Sequence, residues 1–220
     1  MASRTAIIFF ILSLSPLHGF SQTQPDNIKS NHAIPKSSDI EQEIDSLKGC
    51  LKNAVVSDAK AEIYGQLCSS YASALGNVTV ARQYADSVKW IANTLKSEPA
   101  LASSDYHYGL VERYEGKYPR AIDHFQRHLN HCRTSGDSTK IANTLFQLAV
   151  VQQALGNYEE SLAISYEAIK MFEENGSAYG MAITFMHIGI LFGHLEKVDQ
   201  AISMYHQTLS IFDKLRVSLK

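Results

Sequence analysis

Several features that define common protein classes are scarce in this chain of 220 residues. Five prolines and twelve glycines are too few for a collagen-like protein or a Pro/Gly-rich linker protein. Positive charge is not in excess, since 20 Lys and Arg stand against 22 Asp and Glu, for a net charge of −2. This near-balance argues against a nucleic-acid binder, which needs surplus positive charge to neutralise phosphates. Apolar residues make up 45% of the chain, so most of it is expected to fold.

Signatures of catalysis and of cofactor binding are also missing from the sequence. It contains no nucleotide-binding loop, no dinucleotide fingerprint, no zinc-protease HExxH, no GxSxG and no kinase motif. We therefore predict that the protein is not an enzyme and holds no cofactor.

A single long apolar run stands at the N-terminus, over Ala6 to Leu17, and the small residues Gly19 and Ser21 follow it. Its twelve residues are too few to cross a bilayer as a helix, which takes about 20. Residues 1–21 are therefore predicted to be a signal peptide that is cleaved after Ser21. The mature chain is expected to be exported, to the periplasm or the exterior, without stable membrane insertion.

Two further segments precede the main part of the chain. Residues 22–38 are polar, contain two prolines and show no apolar period, which is typical of a disordered linker. Asp39 to Val56 is predicted to form a capping helix, because its apolar residues recur at three- and four-residue steps. Those residues are Ile40, Ile44, Leu47 and Leu51.

The remaining residues, 57–217, repeat with a period of forty. When the sequence is written in rows of forty, two columns align without gaps. The turn column holds Gly76, Gly116, Gly156 and Glu196. The small-residue column holds Ser69, Gly109, Ala149 and Gly189. Glycine in the turn column ends a first helix in the left-handed conformation. The small column lets a second, antiparallel helix approach closely. Each row therefore predicts one pair of helices.

These rows resemble the tetratricopeptide repeat. The third row carries the pattern most fully, with Leu148-Ala149, Gly156-Asn157-Tyr158, Ser161 and Ala168. The resemblance implies an all-α fold, a right-handed α-solenoid of four antiparallel helix pairs behind the capping helix. The period is longer than the usual 34 residues, which indicates a long-period subclass. A HEAT-type array has a similar period, but the Gly-x-Tyr-x-x-Ala pattern fits it poorly.

The first helices of such a solenoid line its concave face, which is the usual binding surface. We predict that this face forms an apolar and aromatic groove that binds a protein or peptide partner. The alternative is that some of these residues pack against a neighbouring first helix instead. The predicted groove residues are Tyr106, His107, Arg113, Tyr114, Phe146, Gln147, Gln153, Met186, His187 and His194.

Three histidines, His124, His128 and His131, share one helix face at i, i+4 and i+7. Such spacing can bind zinc or copper. The repeat register places His128 and His131 in packing columns, however, so we prefer a structural role and predict no metal site.

The three cysteines, Cys50, Cys68 and Cys132, are an odd number for an exported chain. Three buried thiols are the preferred interpretation. A Cys50–Cys68 disulfide that leaves Cys132 free is the alternative.

The leading functional hypothesis is an exported, non-enzymatic scaffold that binds a protein in its groove. The resemblance also suggests the extracytoplasmic input region of a bacterial sensor kinase or regulator, in which such repeats precede a membrane helix and an output domain. A metal-binding or hydrolytic protein built on the histidines is a third, weaker hypothesis. Self-association through the last helix is expected, because its apolar set exceeds what one neighbour can cover; that set includes Ile202, Tyr205, Leu209 and Phe212.

Overall fold

A computed structural model describes residues 37–217. The predicted signal peptide and all but the last two residues of the predicted linker lie outside the described residues. Over residues 37–217 the chain forms nine α-helices and no strand. They are α1 (Ser37–Asn53), α2 (Asp58–Ser69), α3 (Val78–Leu95), α4 (Glu98–Tyr114), α5 (Tyr118–Ser135), α6 (Ser138–Ala154), α7 (Tyr158–Glu174), α8 (Ala178–His194) and α9 (Val198–Val217). Helix α2 continues as a π-helical turn over Ser70–Ala74.

From α2 onward, each helix begins twenty residues after the one before it, from Asp58 to Val198. Consecutive helices pack against each other most extensively, so α2/α3, α4/α5, α6/α7 and α8/α9 form four pairs. The forty-residue period therefore corresponds to one helix pair, and the fold class is the predicted all-α solenoid.

Helix α1 packs on the outer side of the first pair. Its Ile40 and Ile44 are buried against Leu67 of α2. The sequence predicted a capping helix from Asp39 to Val56, whereas α1 spans Ser37–Asn53, and Val55 and Val56 lie beyond it and are exposed.

The turns repeat with the same twenty-residue spacing as the helices. One residue in each turn has a positive φ, and these residues are Gly76, Lys96, Gly116, Gly136, Gly156, Gly176 and Glu196. The left-handed conformation ends one helix and redirects the chain into the next. A side-chain cap then starts several of the helices; for example, the backbone N–H of Lys140 donates to Asp137 Oδ1 at 3.0 Å.

The small-residue column lies where the two helices of a pair touch. A Cβ atom at Gly109 would lie 2.6 Å from the Phe125 ring, and one at Gly189 would lie 2.6 Å from the Tyr205 ring. Aromatic rings of the second helices thus rest on bare backbone of the first helices. This close approach positions the first helices side by side, and the site described next lies along them.

Candidate binding site

A cavity with a volume of about 860 Å³ lies along the first helices. Its walls come from α1, from α2 with the π-helical turn, from Pro99 to Leu110 of α4, from α6 and from the start of α8, with Phe172 from α7. The C-terminal end of α5 contributes His128, His131 and Ser135. The cavity therefore runs across successive repeats rather than sitting inside one pair.

Ten hydroxyl and amide side chains contribute to this lining. They are Ser46, Gln66, Ser69, Ser73, Ser103, Ser135, Thr139, Asn143, Gln147 and Ser177. Three carboxylates, those of Glu43, Asp58 and Glu62, also line it, together with the ammonium group of Lys140. Apolar and aromatic side chains line it as well, among them Leu47, Leu110, Phe172 and Tyr179. The surface therefore combines the predicted apolar and aromatic groups with groups that donate and accept hydrogen bonds.

Three of the ten predicted groove residues line this cavity: Tyr106, His107 and Gln147. Tyr106 is half-buried, and its ring contacts the ring of His107 with centroids 5.4 Å apart. Burial raises the pKa of Tyr106 to about 12, although a hydrogen bond with the Gln147 side chain acts in the opposite direction. The tyrosine is therefore a neutral group that links α4 to α6.

Phe146 and His187 lie in the core instead of facing the cavity. Both side chains are fully buried, and their rings meet edge to face with centroids 5.5 Å apart. Helix α6 has first helices on both sides as well as its own partner helix, so only a narrow stripe of it stays uncovered. This arrangement corrects the prediction that these two side chains line the groove.

Another pair of predicted residues meets away from the cavity. Gln153 Nε2 lies 3.5 Å from His194 Nε2, and the His194 ring stacks on Tyr158 with centroids 4.8 Å apart. His194 is exposed, and Met186 is half-buried. None of these predicted residues is among those that line the cavity.

Arg113 and Tyr114 occupy the C-terminal end of α4. The guanidinium carbon of Arg113 lies 4.1 Å from the centroid of the Tyr114 ring, in a cation–π contact. Arg113 Nε and Nη2 and the Tyr114 hydroxyl are buried and have no hydrogen-bond partner in the described residues. Tyr106, Leu110 and Arg113 follow at i, i+4 and i+7, which places Arg113 on the helix face whose earlier residues line the cavity.

The histidine cluster makes structural contacts. His128 is buried, and its Nδ1 lies 2.7 Å from Thr144 Oγ1 on the next helix. His124 Nδ1 lies 2.8 Å from Asp105 Oδ1, an acidic partner that the sequence reasoning had not found. Among residues 37–217, no three His, Cys, Asp or Glu side chains form a group suited to a metal ion. These contacts support the structural interpretation of the cluster.

The three cysteines are free thiols. Cys68 and Cys132 are buried, as preferred, and burial raises the pKa of Cys132 to about 11. Cys50 is exposed, which corrects the expectation that all three are buried.

Several lining residues that sequence reasoning missed lie in the N-terminal halves of α4 and α6. Ser103 and Asn143 both line the cavity and are separated by one forty-residue period. Thr139 likewise stands one period after Pro99. A polar column between apolar columns was therefore the available signal, and it lies closer to the helix starts than the predicted stripe.

In residues 37–217, no helix is both long enough and apolar enough to span a membrane.

Comparison with protein families gives one match. A family model described as tetratricopeptide repeat matches residues 100–174, which cover most of α4 and all of α5 to α7. No curated protein sequence matches the chain.

Solved structures with a similar fold are distant in sequence. One is a Signal Transduction ATPase with Numerous Domains from Pyrococcus horikoshii, which has a tetratricopeptide repeat sensor. It is 23% identical with a TM-score of 0.63, and the match covers 82% of this chain and 28% of that protein's chain. Aspartyl phosphate phosphatase F from Bacillus subtilis is 17% identical with a TM-score of 0.65, covering 80% and 49%. BtubC from P. vanneervenii is 14% identical with a TM-score of 0.62, covering 82% and 76%. The chain thus spans less than half the length of the first two, and the likeness to all three is one of fold.

Proposed function

Because this chain is a tetratricopeptide repeat protein, with the family model matching residues 100–174, we propose that it is a non-enzymatic scaffold that binds a segment of a partner protein in its concave cavity. The observation that carries the proposal is that successive first helices contribute hydrogen-bonding side chains, beside apolar ones, to one cavity of about 860 Å³. No catalytic role is assigned to any residue of this surface.

The spacing of the lining suits an extended polypeptide. Helices that pack side by side stand about 8–10 Å apart, and an extended chain advances about 3.3 Å per residue. Side chains one repeat apart, such as Ser103 and Asn143, would therefore face the ligand about every third residue. Hydroxyl and amide groups can pair with the N–H and C=O groups of a ligand backbone, whatever its side chains.

A matched pair of variants tests this proposal. Random peptides displayed on phage are selected against the purified full-length chain, and the affinities of the selected peptides are measured by fluorescence anisotropy. The double variant Ser103→Ala/Asn143→Ala is expected to bind about tenfold or more weakly, through the loss of two hydrogen bonds. Asn93→Ala removes an exposed amide from the second helix α3 and should leave affinity unchanged. Equal binding to all three proteins would contradict the concave site.

Export is part of the proposal and depends on residues 1–21. A charged start, a twelve-residue apolar run and small residues before the cut are the features that support it. Expression of the whole gene with N-terminal sequencing of the product is the test. A mature chain that begins at Gln22 in the extracytoplasmic fraction is expected, and an intact N-terminus in the cytoplasm would contradict it.

A sensory input region is the second candidate function. The Pyrococcus horikoshii neighbour is described as a signal-transduction protein with a tetratricopeptide repeat sensor, which favours this candidate on the ground of fold alone. Sequencing the reading frame downstream of Lys220 separates the candidates. A membrane helix and an output domain in the same frame would favour the sensory role.

Self-association through α9 is supported by the repeat register. Leu162 and Ile169 of α7 pack against Phe185 and Ile188 on the next first helix. One period later, Ile202 and Leu209 of α9 are 48% and 57% exposed, and residues 37–217 contain no further helix to cover them.

Pairing of two copies through this face would bury both residues. Sedimentation at micromolar concentration should show a dimer that Leu209→Glu dissociates. A wild-type monomer would end this part of the proposal.

A further inference from the structure

The concave cavity has an acidic end, to which α1 and α2 contribute. Glu43 of α1 lines it together with Asp58 and Glu62 of α2, which are both exposed. None of these three carboxylates forms an ion pair in the part of the chain that the structure describes. Lys140 is the one Lys or Arg side chain in the described lining, and it is paired with Asp137 at 3.0 Å. The acidic end therefore favours a positively charged occupant.

Helix α1 ties the preceding residues of the chain to this acidic end. Its first residue, Ser37, stands six residues before Glu43, which is about 9 Å along the helix. Residues 22–36, called the N-terminal segment below, come directly before Ser37 and lie outside the described residues. The N-terminal segment is therefore attached close to the cavity.

The N-terminal segment is also long enough to cross the whole cavity. An extended chain advances about 3.3 Å per residue, so its fifteen residues reach about 50 Å. The cavity runs across the first helices from α2 to α8. Three steps of about 8–10 Å between neighbouring helices make roughly 25–30 Å. The segment can therefore turn back from Ser37 and still extend along all four first helices.

The composition of the N-terminal segment complements the cavity. Lys29 and Lys36 outnumber its single acidic residue, Asp26, so the segment carries the charge that the acidic end lacks.

The apolar residues of the segment have counterparts in the lining as well. Ile28 and Ile34 stand six residues apart, about 20 Å in an extended chain, and Leu47 is one of several apolar side chains along the cavity. Pro25 and Pro35 oppose helix formation and favour an extended backbone at the residue before them. The segment therefore suits a surface that binds an extended polypeptide.

We propose that the N-terminal segment occupies the concave cavity of its own chain and that a partner must displace it in order to bind. The inference rests on the proposed function, because the segment and the partner compete for one surface. A short tether holds the segment at an effective concentration on the order of 1 mM beside the cavity. An intrinsic dissociation constant on the order of 0.1 mM then suffices to fill the cavity in most molecules and to weaken a competing ligand about tenfold.

Photo-cross-linking in the full-length chain tests where the segment lies. The variant Ile28→benzoylphenylalanine is irradiated without any ligand, and the monomer band is mapped by mass spectrometry. Cross-links within one chain to lining residues of α4 or α6 are expected. Tyr166→benzoylphenylalanine, at an exposed position on the second helix α7, is the control and should give none of them. A monomer band of the Ile28 variant without these cross-links, or cross-links that only join two chains, would overturn the inference.

Competition is tested with the peptides selected against the full-length chain. The double variant Lys29→Glu/Lys36→Glu should release the segment from the acidic end and bind these peptides about tenfold more tightly than wild type does. Lys170→Glu/Lys214→Glu makes the same change in net charge at exposed positions on the second helices α7 and α9. This control should bind the peptides as wild type does.

Failure of this inference and failure of the proposed function give different results. Peptides that depend on Ser103 and Asn143 but bind wild type and Lys29→Glu/Lys36→Glu equally would overturn the inference and leave the concave site intact. An equal gain in both charge variants would also overturn it, because net charge alone would then explain the effect. Peptides that bind without dependence on Ser103 and Asn143 would instead contradict the proposed function.

Discussion

Mild acid should destabilise this fold through three buried histidines, His107, His128 and His187. Burial lowers the pKa of His107 to about 3, and it lowers those of His128 and His187 to about 4. Each ring lies between helices. For example, Nε2 of His187 on α8 lies 3.4 Å from the hydroxyl of Ser161 on α7, and that hydroxyl donates to the Ala149 carbonyl of α6 at 2.7 Å. Protonation would place a positive charge in a region with no counterion bonded to it.

The sign of the effect follows from the direction of these shifts. An unfolded histidine has a pKa of about 6.5 and binds its proton below that pH, whereas the folded rings stay neutral until a much lower pH. The stability that they contribute is therefore fully present above about pH 6.5 and is lost as the pH falls below it. Between pH 7 and pH 5 each ring costs about 2 kcal/mol, or roughly 6 kcal/mol for the three. Typical domains are stable by about 5–15 kcal/mol, so the loss is large.

Urea unfolding followed by circular dichroism at several pH values between 7 and 5 measures this loss. Asp105 and Asp137 have pKa values held low, by hydrogen bonds that outweigh the effect of burial, so they stay ionised throughout this window. The His187→Gln variant should lose about 2 kcal/mol less than wild type over the same range. The exposed His206 provides the control, and His206→Gln should follow the wild-type curve. A wild-type stability that is flat between pH 7 and pH 5 would refute the reasoning.

Three further predictions concern packing, turns and thiols. Gly189→Leu should lower the free energy of unfolding by about 1–3 kcal/mol in denaturant titrations, because a Cβ there would lie 2.6 Å from a ring of the facing helix. The control is Gly193→Ala, because a Cβ at Gly193 would meet nothing within 4 Å. Equal stability of the two variants would contradict the assignment of Gly189 to the contact between paired helices. Glu196→Gly should raise that free energy by about 1 kcal/mol, because Glu196 has a φ of 59° that glycine adopts without strain; no gain would mean that this side chain makes a compensating contact. Cys50 should react rapidly with a thiol reagent in the native protein and Cys132 only after unfolding. Similar rates would show that α5, which carries Cys132, separates readily from its neighbouring helices.

The helix pattern could be predicted from the sequence because the chain contains four copies of the same helix pair, and each copy shows the same pattern of turn and small residues. Gly76, Gly116 and Gly156 mark the same turn, and the structure gives all three a positive φ. The end of α1 was harder to place, since Asp39 to Val56 has no second copy in the chain.

The candidate site could be predicted only in part, because exposure depends on neighbours in three dimensions. Tyr106 and Phe146 hold equivalent positions one period apart, yet Tyr106 lines the cavity and Phe146 is fully buried. The Phe146 ring is covered by His187 of α8, whereas Tyr106 keeps part of its surface exposed to the cavity. The roles of Ser103 and Asn143 were missed for a related reason: a polar residue on a first helix looks the same in sequence whether it faces a cavity or bulk water.

The twenty-residue spacing of the helices has a consequence for how the chain acquires its structure. In residues 37–217 nearly all interhelical contacts join helices that are one or two apart in the sequence. Proteins dominated by such local contacts fold quickly, and each pair can form against the pair before it as soon as it is available. A chain that emerges gradually, from a ribosome or from a translocation channel, can therefore fold in order from α1 to α9 without waiting for its C-terminus.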